Sequence, residues 1–240
     1  MIGSRALKAP SPHHPAAVLG RQTVFDRRPL IGFRPDAARE LQAKIKRAID
    51  VLGALSGLII LSPLLVALAI LIKLSSPGPI FFRQARVGLN GGLFEILKFR
   101  TMYREYCDQS GVEQTVQADP RVTPLGRIMR KSNLDELPQL FNVIRGEMSL
   151  VGPRPHVPGM LAAGVVYENL VPGYRKRHRM RPGITGLAQI KGLRGPTTER
   201  RPAIDRVVND LVYVREFSLW LDIGILVRTF INELRGGTGS

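Results

Sequence analysis

From Val51 to Ile72 the chain runs twenty-two residues without a charge, VLGALSGLIILSPLLVALAILI, with Ser62-Pro63 at its middle. About 20 apolar residues suffice for a helix to cross hydrocarbon, so the segment is long enough for a membrane span. Pro63 removes a backbone donor and crowds the turn before it, which predicts a kink or break, and Ser62 can offer its hydroxyl to the freed carbonyls. Arg39, Lys44, Lys46 and Arg47 precede the segment, and Lys73, Arg83 and Arg86 follow it. Excess Lys/Arg marks the cytoplasmic side of a membrane segment, and here both flanks carry it. Two arrangements remain open on the residues alone: a kinked span, or two half-helices that meet at Ser62-Pro63, dip into one leaflet and return as a re-entrant hairpin. A buried core helix fits so long an uncharged run poorly.

On the N-terminal side, Asp36 is a candidate N-cap for a helix through Ala37, Leu41, Ile45, Ile49 and Leu52, spaced to lie on a bilayer before feeding into the apolar run. Ser75-Ser76-Pro77-Gly78-Pro79 then stops helical structure. PIFFRQARVG and LFEILKFRTM read as two strands of a short β-hairpin around Leu89-Asn90-Gly91-Gly92. Alternation places Phe94, Ile96, Lys98 and Arg100 on one face, so two cations point the same way, either into solvent or as a phosphate clamp. A turn-rich stretch from Asp119 to Gly126 leads into a basic helix with Arg127, Arg130 and Lys131. Asp205 to Leu234 reads as helical and apolar enough for the bilayer interface, with Trp220 suited to the headgroup zone, or for core packing. Arg215, Glu216, Asp222 and Arg228 exclude a second span there.

The formal charge of +16 and an isoelectric point near 11 suit three partners: nucleic acid, an anionic bilayer surface, or a phosphate-rich substrate. Few aromatics accompany the basic clusters, which argues against the first. The single cysteine, Cys107, excludes an internal disulfide framework and fits a reducing compartment. Met1 to Arg39 holds five prolines among scattered basic residues and no apolar leader, which predicts a disordered or loosely membrane-associated tail. His13 and His14 within it read as solvent-exposed rather than metal-binding. The organisation expected is a tail at 1–39, an interfacial helix and membrane segment at 40–76, and a larger domain at 77–240: an α+β chain, mainly helical, with one small β-hairpin.

The densest chemistry is NLDELPQLFNVIRGEMSLVGPRP, from Asn133 to Pro155. Asp135 and Glu136 precede Pro138, a residue best tolerated in a helix's first turn, and Leu137, Leu140, Phe141 and Ile144 mark the expected buried face. An ionised Asp there can serve as a nucleophile toward phosphorus or as a Mg²⁺ ligand. The same residues also fit a capping box, Asn133 as N-cap and Glu136 three residues on. Pro153-Arg154-Pro155 restrains the backbone on both sides of one guanidinium, which suits a fixed phosphate contact. In RPGITGLAQ the glycines permit close backbone approach to a ligand, with Thr185 and Gln189 as hydrogen-bonding candidates; turn-making alone also explains those glycines.

In order and combination, KRAIDV, the Ser62-Pro63 break, FFRQARVG, LKFRTM, the run from Asp119 to Pro155, and RPGITGLAQIKG resemble the bacterial sugar transferases, monotopic polyprenyl-phosphate phosphoglycosyl transferases of exopolysaccharide and glycan assembly. The resemblance covers Lys44 to Arg235 and implies transfer of a sugar-1-phosphate from a UDP-sugar to undecaprenyl phosphate, with release of UMP. It makes Asp135 the nucleophile of a two-step course through a covalent phosphosugar. Glu136 becomes its partner in Mg²⁺ binding and in handling the acceptor phosphate's proton, and Arg154 a contact to the nucleotide phosphate. Lys98, Arg100 and Arg130 match basic positions around the site. The resemblance also favours the re-entrant form, with the catalytic domain on the cytoplasmic face of a bacterial inner membrane and anionic lipids as neighbours; it leaves homo-oligomerisation open. Asn133 departs from the Ser or Thr more frequent before the LDE triplet. Rival readings are a membrane-tethered nucleic-acid binder and a non-catalytic scaffold of the same fold, and the intact acid pair argues against the scaffold.

Overall fold

The structure, a computed structural model, describes residues 37–106, 119–195 and 197–235; the tail expected at 1–39 lies outside them up to Asp36, as do Cys107 and the Asp36 cap. Helix α1 (Ala37–Ser75) takes in the amphipathic lead-in and the whole apolar run as one uninterrupted element with Pro63 inside it. The helix survives because Ser62 Oγ donates to the Ile59 carbonyl at 2.8 Å, the carbonyl that Pro63 leaves without its usual donor. One face of α1 is covered along its length. Ala54 packs with Leu140, Val143 and Met148, while Leu68 and Ile72 pack with Phe99 and Met129. The opposite face leaves Ile59, Ile60, Val66 and Ile70 more than half exposed. By length and composition α1 could cross a membrane, and it is the one described helix that could.

Strands β1 (Phe81–Val87) and β2 (Leu93–Phe99) form the expected antiparallel hairpin, pairing Phe82 with Lys98 and Arg86 with Phe94. Asn90 and Gly91 take up left-handed conformations in the connecting turn, as an Asn-Gly pair does readily. Helix α2 (Pro124–Lys131) starts at Thr123, whose hydroxyl accepts from the Gly126 backbone at 2.9 Å. Gly126 is pressed against Thr101, where a Cβ would come within 2.1 Å of the carbonyl oxygen.

After a single 3₁₀ turn at Leu134–Glu136 comes the short helix α3 (Gln139–Arg145). Its buried face differs from the expected one: Asn142 and Val143 are fully buried and Phe141 is exposed. Asn142 turns inward because it bridges to the hairpin, accepting from Leu97 N at 2.9 Å and donating to the Glu95 carbonyl at 2.7 Å. Periodicity in apolar residues misses a phase set by an amide.

Strand β3 (Ser149–Val151) pairs in parallel with β6 (Gly183–Thr185). Between them lie the two-residue strands β4 (Leu161–Ala162) and β5 (Val165–Val166) and the one-turn helix α4 (Tyr167–Leu170). A one-turn helix α5 (Leu187–Ile190) follows β6, then α6 (Arg200–Glu216) and α7 (Leu219–Leu234). Ser218 caps α7 by accepting from Leu221 N, which divides the expected continuous segment in two. The two uses left open for that segment divide with it. Val207 and Tyr213 of α6 are buried, whereas Trp220, Val227, Phe230 and Leu234 of α7 stand exposed.

Candidate active site

Asn133 adopts the left-handed conformation (φ 53°, ψ 16°) and turns the chain into Leu134–Glu136. This inserts Asp135 and Glu136 into the interior, 7% and 9% exposed. Both oxygens of Glu136 are taken. Lys98 Nζ lies 2.7 Å from Oε1, and Arg154 donates from Nη2 to Oε1 at 2.7 Å and from Nη1 to Oε2 at 3.3 Å. The Asp135 carboxylate, by contrast, has no hydrogen-bond or ion-pair partner among the described residues.

The two acids therefore diverge in proton affinity. Burial pushes Asp135 up, with the Lys98 charge opposing and Glu136 adding to the rise. Burial would also raise Glu136, but Arg154 and Lys98 outweigh it and hold Glu136 well below the usual carboxylate range. A capping box is excluded as the account of this pair: Asn133 makes no side-chain cap bond, and its amide donates to Glu233 instead.

Arg154 is held as the flanking prolines predict, and the structure adds how. Each carbonyl of Pro153-Arg154-Pro155 accepts a hydrogen bond: from Gly183 N at 3.0 Å, Arg177 Nη2 at 2.5 Å and Arg86 Nη1 at 3.2 Å. Arg177 is itself buried and paired with Asp210 at 2.5 Å. Next to it His156 is enclosed, its Nδ1 2.8 Å from the Tyr174 hydroxyl and its Nε2 without a partner. Burial, with Arg177 and further guanidiniums around it, keeps His156 uncharged. Arg86 remains a cation although burial beside Arg154 pushes it down to about 10.

Lys98, Arg154 and Arg130 all act electrostatically on Asp135, and Arg130 also donates from Nε to the Thr101 hydroxyl at 2.8 Å. Arg100 does not join them. Its guanidinium closes the end of α1, donating to the carbonyls of Pro77 (2.8 Å), Ser76 (2.7 Å) and Ile72 (3.3 Å) and to the Ser76 hydroxyl (2.9 Å). β2 stops at Phe99, so the alternation that pairs Lys98 with Arg100 ends one residue too early. Gly78, at φ 126°, leaves room for that guanidinium.

Thr185 and Gln189 likewise face inward. Thr185 shares a 2.7 Å hydrogen bond with Thr229 of α7, and Gln189 donates to the Ile184 carbonyl at 3.0 Å. The glycines of this loop serve backbone packing, since a Cβ on Gly183 would fall 2.0 Å from Gly152 N and one on Gly186 2.3 Å from Gly152 O. The close approach expected toward a ligand is an approach of β6 to β3, which joins the loop to the PRP segment. Arg86, Arg177, Asp210 and Glu233 were invisible to motif reading as site residues, because each acts through a partner far away in sequence.

The profile of the bacterial sugar transferase family matches residues 41–236. The chain belongs to the bacterial sugar transferase family. Its relatives include an exopolysaccharide production protein, PSS, of Rhizobium leguminosarum bv. phaseoli, 52% identical over 81% of this chain and 98% of the relative. An undecaprenyl-phosphate glucose phosphotransferase of Komagataeibacter xylinus is 47% identical over 88% of this chain. A UDP-glucose:undecaprenyl-phosphate glucose-1-phosphate transferase of Escherichia coli K12 is 46% identical over 79%. This sugar transferase spans nearly the whole Rhizobium protein but only 38% and 41% of the latter two. The matched residues take in all but the first turn of α1, the acid pair, Arg154 and α7 together.

Proposed function

We propose that this sugar transferase moves a hexose-1-phosphate, glucose-1-phosphate first among candidates, from a UDP-sugar to undecaprenyl phosphate in exopolysaccharide assembly. One observation carries the reading: of two adjacent buried acids, Glu136 is neutralised by Lys98 and Arg154 while Asp135 is left without a partner. An unpaired carboxylate walled by cations suits attack on a diphosphate. In the first step an Asp135 oxygen bonds to the sugar-bearing phosphorus and the bridging P–O bond breaks, its electron pair leaving with UMP. In the second, an oxygen of undecaprenyl phosphate attacks the same phosphorus and Asp135 departs. A phosphate monoester with a second pKa of about 6 is largely dianionic at neutral pH and needs no base. Glu136, low in proton affinity, is better suited to holding Lys98 and Arg154 toward the phosphates than to taking a proton.

Magnesium binds through one or two carboxylates plus substrate phosphates, and the acid pair fits that sparse donor set, with Asp135 the acid free to contribute. Bound there it would supply charge neutralisation at the diphosphate. Among the described residues no group of three His, Cys, Asp or Glu offers a fuller cage.

The placement at a bacterial inner membrane with the site on the cytoplasmic face, through a re-entrant α1, is supported by where the helix packs. Before Pro63, Lys46 pairs with Asp222 at 2.7 Å and Asp50 accepts from Leu150 N at 3.0 Å; after it, Leu68 and Ile72 enter the core beside Phe99. Both arms thus rest on the same catalytic body, and the exposed residues around Ser62-Pro63 form the crown that enters lipid. Nucleic acid is disfavoured because Arg100, Arg154 and Arg177 spend their charge on interior partners.

The deciding experiment incubates purified protein with Mg²⁺, undecaprenyl phosphate and a panel of UDP-sugars and follows UMP. Release is expected with UDP-glucose; no UMP from any sugar overturns the reading.

A further inference from the structure

The C-terminal end of α7 reaches back to the turn that carries Asp135. Glu233, in the last turn of α7, accepts from Asn133 Nδ2 at both carboxylate oxygens, 2.9 and 3.1 Å, and lies 3.7 Å from Arg194 Nη1. An acid is disfavoured at this end of a helix, where the unsatisfied carbonyls already concentrate negative charge. Asn133 is equally unusual: it is one of three non-glycine residues with positive φ among the described residues, and its carbonyl accepts from Glu136 N at 3.1 Å to close the catalytic turn. Two locally unfavourable features thus meet in one contact.

Resting on the reading of Asp135 as nucleophile, we propose that Glu233 is a positioning residue that holds Asn133 in its left-handed conformation and thereby sets where Asp135 stands. Asn133 has no other side-chain hydrogen bond among the described residues, so nothing else fixes its amide. Without Glu233 the residue can relax toward more populated conformations, at a cost-free gain for the backbone, and the turn that presents Asp135 shifts. The carboxylate itself touches neither acid, so its influence runs through geometry. The same contact ties the helix bearing exposed Trp220, Val227 and Phe230 to the reacting group.

The test uses the full chain with UDP-glucose and undecaprenyl phosphate, following UMP. Displacement of a nucleophile by a fraction of an ångström lowers turnover more than binding, so Glu233→Ala is expected to reduce kcat by about tenfold with both KM values within about twofold. Glu233→Gln keeps an oxygen acceptor for the amide and is expected to recover most of kcat. Asn133→Gly makes the left-handed conformation accessible without a side chain. In that background Glu233→Ala should lower kcat by less than about twofold, because the interaction it removes is already gone.

Unchanged kcat in Glu233→Ala overturns the proposal, and so does a tenfold loss that persists undiminished beside Asn133→Gly, which would route the effect through Arg194. Should Glu233→Ala fail to fold, Glu233→Asp, one methylene short of Asn133, carries the same comparison in the two backgrounds. If the unaltered protein releases no UMP with any UDP-sugar, the reading of the activity fails and this inference with it. If the unaltered protein turns over and the Glu233 variants match it, the inference alone fails.

Discussion

Ser62 donates its hydroxyl to the carbonyl of Ile59 at 2.8 Å, and Ile59 stands four residues before Pro63. In a regular helix that carbonyl would accept from the amide of residue 63, which proline lacks. The pair Ser62-Pro63 therefore bends the rule of the helix and repairs it locally, which matters because the surrounding Ile59, Ile60 and Leu64 face outward. Ser62→Ala should cost about 1 kcal/mol of stability in lipid nanodiscs, read by thermal unfolding, and Ser62→Thr should restore it.

Residues of α1 on both sides of Pro63 pack on one body, and a re-entrant α1 would present both of its ends to one side of a bilayer. In a Cys107→Ser background, cysteines replacing Ala43 and Leu74, both exposed, should react with an impermeant maleimide from the same face of sealed vesicles. Labelling from opposite faces would replace the re-entrant reading with a span.

The acid pair makes a prediction with two signs. Asp135 is raised in the folded protein, so its ionised form opposes folding above its folded pKa, and that penalty disappears below the unfolded value of about 3.9. Asp135→Asn should therefore abolish turnover yet melt higher than the unaltered protein at pH 7, the gap closing toward pH 4. Glu136 is lowered, so it contributes stability above the unfolded value of about 4.3 that is lost as pH falls through its folded pKa. Glu136→Gln should melt lower at pH 7. Scanning calorimetry between pH 4 and 8 reads both; shifts of equal sign would contradict the division of labour.

What was legible in the chain tracks the range of the interaction. The Ser62-Pro63 compensation, the β1–β2 hairpin and the proline restraint on either side of Arg154 all depend on neighbours in sequence, and each is readable from residue type alone. The direction assigned to Arg100 does not hold because strand alternation applies only inside a strand, and β2 ends at Phe99. Phe141 was misread because hydrophobic spacing cannot weigh a buried amide such as Asn142 against a ring. Glu233 and Arg177 act across 100 and 23 residues, a range at which no local pattern speaks.

Arg100 offers a direct check on its reassignment. Four hydrogen bonds from one guanidinium fasten the C-terminal end of α1 to the hairpin, and bonds to charged groups contribute about 1.5–3 kcal/mol each when buried. Arg100→Lys, which cannot reach all four acceptors, should lower the melting temperature clearly while leaving the KM for UDP-glucose within about threefold. A raised KM with unchanged melting would return Arg100 to the substrate site.

Arg177 and Asp210 allow stability and positioning to be separated. Removing one member of a buried pair strands the other charge and costs about 3–5 kcal/mol, so Asp210→Asn alone should unfold readily. Replacing both, Arg177→Met with Asp210→Leu, removes the charges together and should regain most of that stability. It cannot regain the bond from Arg177 to the Arg154 carbonyl, one of the three that fix the PRP segment. The double variant should therefore fold and still bind the donor poorly, with KM for UDP-glucose raised about tenfold and KM for undecaprenyl phosphate little changed. Equal increases in both KM values would mean that the pair supports the site as a whole, and normal kinetics would mean that the prolines suffice to hold Arg154.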